Sequence, residues 1–446
     1  MDKNRTLASE TTRKIGKKIK LAGWVAARRD HGKLVFIDLR DRSGVVQVVG
    51  KEIFGKLAPE DVIEIEGEVV SRPADLVNPK IETGKVEVAA KKLKILSKAA
   101  ELPFDMGAPE LTVSLPTLLD YRALTLRHPK IAAIFTIQEA IISSFRKTLK
   151  ELDFTEIQVP TIVPTKTEGG AEIFTIDYYE HPAYLAQSPQ LYKQILVGVF
   201  EKVFTLAHAY RAEPSETTRH LSEYISLDAE LGFIESWKDL LEVIEKIFTD
   251  IVNDLKKTCG KELKLFSVEL PKIAKPVPRI KLREAQEIIF ARTKRDNRDE
   301  PDLTPEDERE ICKYAAETKN SDLIFITHFP ASKRPFYTFA DPADPEYTLS
   351  FDLLGKGLEW VTGGQRINDY NQLVSNIKKL GENPDKFEAY LAAFKFGMPP
   401  EGGFAIGAER VTAGILNLEN IREASLFPRD MTRVDLLLTK IAKTLK

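Results

Sequence analysis

The segment YRAEPSETTRHLSEYISLDAEL, Tyr210–Leu231, ends one apolar run with arginine and glutamate and passes through a polar loop into an alternating run. Strand periodicity predicts two antiparallel strands here, because successive side chains of a strand point to opposite faces. Arg211 and Glu213 share a parity with the small residues before them, so we expect both on a polar sheet face. The second strand would contribute four side chains to that face: Tyr224, Ser226, Asp228 and Glu230.

This charged face has two interpretations. It can be a solvated sheet surface with ordinary salt bridges, which contribute little to stability. It can instead be a ligand platform, because the planar fork of an arginine clamps phosphate and a glutamate accepts a hydrogen bond from an exocyclic amine. The segment alone leaves both interpretations open.

Two later segments favour the ligand platform. The first, LSFDLLGKGLEWVTGGQRI at Leu349–Ile367, holds Asp352 and Glu359 near a Gly-Gly turn that Arg366 follows. The second, MPPEGGFAIGAERVTAGIL at Met398–Leu416, is a glycine-rich strand that runs into a helix. Glycines let a ligand approach the backbone, and carboxylates suit a magnesium ion held jointly with phosphates.

Composition restricts the class of protein. The chain has 446 residues, enough for two or three domains, and a net charge of −2, so no global basic field indicates a nucleic-acid partner. Cys259 and Cys312 lack the spacing of a disulfide framework or a zinc site. The first residues do not resemble a signal peptide, and no run approaches the roughly 20 apolar residues of a membrane span. We therefore expect a cytoplasmic protein without a membrane segment.

Pattern changes along the chain predict its domains. Short β-branched runs over 17–97 predict a small closed barrel, either an oligonucleotide-binding (OB) fold or a plain structural barrel. The proline-rich stretch that follows predicts a hinge. The predicted boundaries are 1–100 for the barrel, 101–130 for the hinge and 131–446 for the second domain. Within the second domain, the highly charged segment 282–320 is interpreted as a solvated helical insertion that takes no part in chemistry.

These motifs resemble those of class II aminoacyl-tRNA synthetases, and most closely the aspartyl-tRNA synthetase family. FTEIQVPTIV (Phe154–Val163) resembles the first class motif, the Tyr210–Leu231 segment the second, and GGFAIGAER (Gly402–Arg410) the third. TEGGAEIF, QSPQLYKQ, SFDLL and GGQRI resemble the aspartate and asparagine branch. The likeness covers nearly the whole chain. It implies an α+β multidomain fold: an N-terminal OB-fold anticodon barrel, then a catalytic domain whose mainly antiparallel sheet is flanked by helices.

The resemblance also implies an ATP site. Arg211 would contact the α-phosphate and the substrate carboxylate, and Glu213 the adenine amino group. Arg219 and His220 would hold the terminal phosphates, with Tyr224 stacked on adenine. The rest of the implied ATP site is Leu221, Glu359, Gly407, Ala408, Glu409 and Arg410. The catalytic residues would be Arg211, Glu359 and Arg410. Magnesium would be held by Glu359, Thr362 and Asp352.

An aspartate site is implied beside it. Glu168 and Asp228 would meet the substrate ammonium, and Gln190, Lys193 and Arg366 the side-chain carboxylate. Arg211 and Thr362 would complete this site.

The barrel and the first motif carry the implied partners. The barrel would read the anticodon of tRNA(Asp), and of tRNA(Asn) if the enzyme charges both, through Arg28, His31, Phe36, Gln47 and Asn78. A homodimer would form through the first class II motif with its Pro160. The candidate positions for discriminating the two tRNAs are Ala26, His31 and the PADLVNP loop, and Ala26 and His31 resemble relatives that accept both tRNAs.

Three other functions share parts of this pattern. An asparaginyl-tRNA synthetase has the same fold and motifs. An asparagine-synthetase-like paralogue would pass the adenylate to ammonia and typically lacks the barrel. A single-strand-binding barrel with a degenerate partner domain would not need the phosphate and magnesium residues.

Overall fold

The computed structural model describes residues 4–32, 34–51, 54–166, 172–214 and 217–438. The chain divides into two compact units, Met1–Val113 and Ser114–Lys446. Within the described residues, no helix is long and apolar enough to span a membrane.

The first unit contains the predicted OB-fold barrel. Its strands are β1 (Lys18–Asp30), β2 (Val35–Asp41), β3 (Gly44–Gly50), β4 (Val62–Ser71) and β5 (Val86–Ser97). They close in the order β1-β2-β3-β5-β4, with only the β3–β5 pair parallel. Inward side chains such as Val25, Ile37 and Val48 are fully buried, and each contributes roughly 1.5–3 kcal/mol. At Gly23 a Cβ atom would lie 2.3 Å from the Arg40 carbonyl oxygen, so this close strand contact needs glycine.

The second unit begins before residue 131, the predicted start of the second domain. Two short helices, α1 (Leu115–Asp120) and α2 (Arg122–Thr125), lie inside the predicted hinge. The buried Arg122 donates to the carbonyls of Glu423, Ser425 and Leu426 at the far end of the chain. These hydrogen bonds attach the last part of the hinge segment to the second unit.

The remaining helices and strands of the second unit follow in chain order. The helices are α3 (Pro129–Glu151), α4 (Gln190–Phe200), α5 (Lys238–Thr258), α6 (Gly260–Phe266), α7 (Leu282–Thr293), α8 (Pro305–Lys319), α9 (Tyr370–Lys379), α10 (Glu388–Lys395) and α11 (Ala408–Leu416). The strands are β6 (Thr155–Glu156), β7 (Ile162–Val163), β8 (Thr175–Tyr178), β9 (His181–Leu185), β10 (Lys202–Tyr210), β11 (Glu223–Gly232), β12 (Arg279–Lys281), β13 (Leu323–Thr327), β14 (Ala340–Asp341), β15 (Asp344–Thr348), β16 (Ser350–Gly355), β17 (Leu358–Gln365), β18 (Glu401–Gly407), β19 (Arg433–Val434) and β20 (Leu436–Leu437).

An eight-stranded sheet organises this unit in the order β12-β13-β16-β17-β18-β11-β10-β6. Its pairs are antiparallel except β12–β13 and β10–β6 at the two edges, which confirms the predicted mainly antiparallel sheet. One face packs on α3, α5 and α11 through side chains such as Phe145, Leu227, Phe248 and Phe404. The long amphipathic helix α3 places apolar side chains such as Ile137 and Phe145 in this core.

The strand register aligns polar residues on the opposite face. Thr205 pairs with Asp228, Asp228 with Ala405, Ala405 with Thr362, and Thr362 with Asp352. Directly opposed residues of antiparallel strands share a face. One row across five strands therefore carries two of the predicted metal ligands and one predicted ammonium ligand.

The charged segment 282–320 is not the solvated insertion that its composition predicts. Helices α7 and α8 bury Leu282, Ile289, Ile311 and Ala315 against the edge of the sheet. Most of the charged residues lie on the outer faces of both helices, whereas Asp307 and Glu308 are buried. A composition average over the segment does not reveal this division.

Candidate active site

A cleft of about 310 Å³ lies on the polar face of the large sheet. Most of the predicted substrate residues line it: Gln190, Lys193, Arg211, Glu213, Arg219, His220, Leu221, Tyr224, Asp228, Glu359, Thr362, Arg366, Gly407, Glu409 and Arg410. Ala408 instead packs in the core beneath. Glu168 lies outside the described residues. The sequence thus predicted a set of residues that the fold brings to one place.

Arg211 and Glu213 stand at one end of the cleft, beyond the end of β10. The Arg211 guanidinium lies 3.8 Å from Glu213 and its carbon is 5.7 Å from the centre of the Tyr224 ring. The prediction that Arg211, Glu213, Asp228 and Glu230 form one charged cluster on the sheet face is therefore wrong. Arg211 and Glu213 pair with each other, and the two β11 carboxylates pair elsewhere. The strand ends at Tyr210, so parity does not extend to Glu213.

The loop after Glu213 brings a histidine and an arginine to the same end. His220 Nδ1 lies 2.6 Å from Thr217 Oγ1, and Nε2 lies 3.8 Å from Glu213. Burial lowers the pKa of His220, although Glu213 opposes this. A neutral imidazole beside several arginines is suited to hydrogen bonding with phosphate oxygens rather than to charge pairing.

Glu409 and Arg410, in the first turn of α11, have different partners. Arg410 Nη1 lies 3.2 Å from Glu359 Oε1, so these two predicted catalytic residues are paired. The Glu409 carboxylate accepts from the backbone N–H of Ile225 at 3.1 Å with both oxygens. Burial raises the pKa of Glu409 to about 7, and those hydrogen bonds oppose the shift. Glu409 therefore joins α11 to β11, while Arg410 lines the cleft beside Glu359.

Two of the three predicted metal ligands, Asp352 and Thr362, meet at Arg334, a residue that sequence analysis did not single out. The third, Glu359, pairs with Arg410. Arg334 donates to Asp352 Oδ2 at 2.9 Å and to Thr362 Oγ1 at 3.3 Å. Asp352 Oδ1 is buried without a hydrogen-bond partner among the described residues. Burial raises the pKa of Asp352 to about 7, and Arg334 opposes this shift. Among the described residues, no group of three or more His, Cys, Asp or Glu could hold a metal by itself. These hard oxygen donors fit a cation that takes its other ligands from phosphate and water.

The other end of the cleft holds two buried cations and two buried carboxylates. Lys193 on α4 donates to Asp228 at 2.8 Å and lies 3.1 Å from Glu230. Arg366 Nε donates to Glu230 at 2.7 Å. These four side chains are at most 7% exposed, so the solvated interpretation of the β11 face is wrong. Sequence analysis placed Glu230 on this face but gave it no role.

Gly403 on β18 makes room for this group. A Cβ atom there would lie 2.0 Å from Glu230 Oε2, so a larger residue would displace the carboxylate. Gln190 lies against the same group, with its Oε1 3.4 Å from Arg366 Nη2. The α4 helix thus adds an amide and an ammonium to a sheet face that provides carboxylates.

The predicted anticodon residues lie in the barrel. Phe36 on β2 is only partly buried and lies outside the barrel core, with its ring edge-on to His31 at 5.6 Å. Gln47 Nε2 donates to Glu87 at 2.8 Å, and its Oε1 accepts from Arg72 at 3.3 Å. Phe36 and Gln47 share the outer face, because they oppose Val49 and Asp38 in the β2–β3 register.

Two predicted anticodon residues have other partners. Arg28 donates to Asp30 and to the Gly55 carbonyl at 3.2 Å, and Asn78 accepts from the backbone of Lys80 at 3.0 Å. Among the described residues, neither shows a contact with Phe36 or Gln47. Both remain predictions.

Comparisons with known proteins agree with these two units. Residues 114–431 match the model of tRNA synthetases class II (D, K and N), and residues 19–96 match that of the OB-fold nucleic acid binding domain. A polar antiparallel sheet with this cleft, accompanied by an OB barrel, defines a class II aminoacyl-tRNA synthetase, an enzyme class that uses ATP and divalent metal ions.

Relatives of similar length narrow the class. The aspartate–tRNA(Asp/Asn) ligases of Deinococcus radiodurans and Thermus thermophilus are 42% and 43% identical over 96% of this chain and 98% and 99% of theirs. The aspartate–tRNA(Asp) ligase of Pyrococcus abyssi is 41% identical over 96% of this chain and 98% of its own. The chain belongs to the aspartate–tRNA ligase family.

Solved structures share the whole fold. The asparaginyl-tRNA synthetase of Pyrococcus horikoshii with asparaginyl-adenylate aligns with a TM-score of 0.89 at 33% identity, covering 97% of this chain and all of that one. The aspartyl tRNA synthetase of Entamoeba histolytica aligns at 0.85 and 31%, covering 96% and 92%.

Proposed function

We propose that this protein activates L-aspartate with ATP and transfers it from aspartyl-adenylate to the 3′ end of tRNA(Asp). The observation that supports this best is the buried pair Lys193 and Arg366 at one end of a cleft with arginines at the other. The first end is suited to a side-chain carboxylate and the second to a polyphosphate.

In the first step the aspartate α-carboxylate attacks the α-phosphorus of ATP, and pyrophosphate leaves. No protein nucleophile is needed, so catalysis depends on alignment and on stabilising charge at the phosphoryl oxygens. Arg211 is positioned to contact both the α-carboxylate and the α-phosphate, with Arg410 on the opposite side. The terminal ribose hydroxyl of the tRNA then attacks the adenylate carbonyl, and AMP leaves.

The remaining cleft residues orient the nucleotide. Glu213 accepts from the adenine amino group, Tyr224 stacks on the ring, and Arg219 and His220 hold the terminal phosphates. Glu359, Asp352 and Thr362 would hold Mg²⁺, which supplies neutralising charge to the polyphosphate when bound.

The decisive experiment is ATP–pyrophosphate exchange with each amino acid in turn. Exchange with aspartate alone is expected. Asparagine is included because the fold is similar to that of asparaginyl-tRNA synthetases. Exchange with asparagine alone would support the asparaginyl alternative. Exchange with aspartate followed by transfer to ammonia rather than tRNA would support the asparagine-synthetase alternative.

We infer that tRNA(Asn) is a second acceptor. Aspartate and asparagine anticodons differ only at the third base, so discrimination requires a contact that rewards one base or a clash against the other. Ala26 provides little side chain for such a contact. The His31 ring is packed against Phe36. The two relatives with 42% and 43% identity are named for both tRNAs.

Charging purified tRNA(Asp) and tRNA(Asn) transcripts side by side should therefore give kcat/KM values within a factor of ten or so. A preference for tRNA(Asp) greater than a hundredfold, about 2.7 kcal/mol, would show a discriminating enzyme. ATP–pyrophosphate exchange without tRNA serves as the control. It must give the same rate of adenylate formation for the enzyme used with each transcript.

Phe36→Ala and Gln47→Ala should weaken tRNA charging while adenylate formation stays normal. A stacked base is worth about 1–3 kcal/mol, so KM for tRNA should rise roughly five- to 150-fold for Phe36→Ala. The measurement is aminoacylation beside pyrophosphate exchange for each variant. A loss of thermal stability without a selective rise in KM would instead mean that these side chains only support the barrel.

A homodimer in the cytoplasm completes the proposal. A second cleft, on the outer side of α3 and β10, is lined by apolar and by polar side chains. The apolar ones are Phe135, Ile142, Leu206, Ile225 and Leu426, and the polar or charged ones are Gln138, Glu139, Ser143, Arg146 and His208. An apolar surface beside the first class motif is suited to a second copy of the chain. Pro160, the predicted interface proline of that motif, is exposed in the single chain.

A further inference from the structure

The first turn of α8 reaches the nucleotide end of the cleft, although its segment was expected to take no part in chemistry. A capping box fixes the N-terminus of the helix. The Thr304 side chain accepts a hydrogen bond from the Asp307 backbone, and the Asp307 side chain accepts one from the Thr304 backbone. Asp307 also forms an ion pair with Arg295. Ile311 and Ala315 anchor its underside. A side chain in this first turn is therefore held by a rigid element.

Glu308 is the side chain that reaches the site. It is 9% exposed, and its Oε2 accepts from Arg219 Nη2 and, at 3.1 Å, from the backbone N–H of Glu359. One oxygen atom thus connects the polar loop to the strand that carries a predicted metal ligand. Among the described residues, the Arg219 side chain donates to Glu308 alone. Arg219 lines the cleft, and Glu308 lies behind it.

We propose that Glu308 is a positioning residue for the terminal phosphates of ATP, acting through Arg219. This rests on the proposed function of Arg219 at those phosphates. An arginine on a loop loses much rotamer freedom when it is immobilised, and a partner that holds it beforehand removes that cost from ligand binding. Using Nη2 for Glu308 leaves the other N–H groups of the planar fork for phosphate oxygens.

The contact with Glu359 adds a second constraint. Because Glu308 accepts from the Glu359 backbone as well, it sets the spacing between Arg219 and the strand of the metal ligands. The triphosphate must contact both groups at once. A purely structural role, in which Glu308 only fastens α8 to β17, would not distinguish ATP from a nucleotide without terminal phosphates.

The test is equilibrium binding of ATP and of AMP, each with Mg²⁺, to the full chain by calorimetry. Glu308→Gln keeps the size of the side chain and an acceptor oxygen but removes the charge. We expect it to weaken ATP binding by about tenfold, the range of a charged hydrogen bond, and AMP binding by less than twofold. Glu306→Gln is the matched control, because Glu306 lies in the same turn, is 58% exposed and forms its ion pair with the exposed Arg309 rather than with Arg219. It should change neither affinity.

A double-mutant cycle tests the route through Arg219. In an Arg219→Ala background, Glu308→Gln should have no further effect on ATP affinity. Equal weakening of ATP and AMP, tighter ATP binding, or full additivity with Arg219→Ala would each overturn the proposal. The assay needs no amino acid, so a chain that fails in aspartate-dependent exchange but shows the ATP-specific loss contradicts the proposed function and supports the role of Glu308.

Discussion

Arg211→Ala is expected to lower the rate of aspartate-dependent ATP–pyrophosphate exchange by at least about 10²–10³-fold, the effect of deleting one donor that stabilises a developing oxyanion. Arg211 follows the last residue of β10, and its backbone N–H donates to Ser222 at 2.9 Å, so the strand pair extends to its position. The guanidinium is held over Tyr224 at the nucleotide end of the cleft. In the proposed mechanism this is where negative charge develops on the phosphoryl oxygens.

The fold should tolerate this change, because the Arg211 side chain is partly exposed. Thermal unfolding within a few degrees of the wild type would establish that the loss is catalytic. Arg279→Ala is a suitable control, since Arg279 is an exposed arginine on β12 of the same sheet. Near-normal exchange in the Arg211 variant would refute its assignment.

Aspartate should exceed asparagine in exchange kcat/KM by about 10⁴-fold, the range seen when a site built for one polar group meets an analogue that leaves buried groups unpaired. The charge balance explains why. Lys193 and Arg366 neutralise Asp228 and Glu230, so the charges of these four side chains balance. Burial, followed by the charge of Glu230, raises the pKa of the neighbouring Glu401 well above its usual value.

Binding aspartate keeps that balance, because its ammonium and its side-chain carboxylate bring opposite charges. Asparagine brings only the ammonium to this end, and its amide N–H groups would face cations. Lys193→Met should lower the rate of aspartate-dependent exchange much more than the rate of any residual asparagine-dependent exchange. A selective loss of this kind distinguishes a defect in amino-acid recognition from a general loss of activity. Lys395→Met, at the end of α10, is an exposed control. Asparagine exchange equal to that of aspartate would contradict this selectivity.

Local pattern predicted much of the architecture. Alternation in the Tyr210–Leu231 segment predicted a hairpin with one polar and one apolar face, and β10 and β11 have that arrangement. The succession of β-branched runs over 17–97 predicted the closed barrel. Both depend on the two-residue period of a strand, which any short stretch of sequence displays.

The assignment of roles came from motif resemblance rather than from periodicity. Lys193 shows why: on α4 its position predicts an ordinary helical lysine, yet the structure buries it against Asp228 and Glu230. Those residues are separated along the chain, and only the packing of α4 over the sheet makes them neighbours. Motifs that match known enzymes carry such tertiary information, and local pattern does not.

The sequence by itself determined which side chains share a strand face and which motifs resemble those of a nucleotide-activating site. Only the tertiary structure decided that Asp228 and Glu230 are buried rather than solvated, that Arg334 accompanies the metal ligands, and that Glu308 holds Arg219. The physical reason is one of range. Periodicity and capping depend on residues a few positions apart, whereas a buried ion pair depends on which distant elements the core brings together.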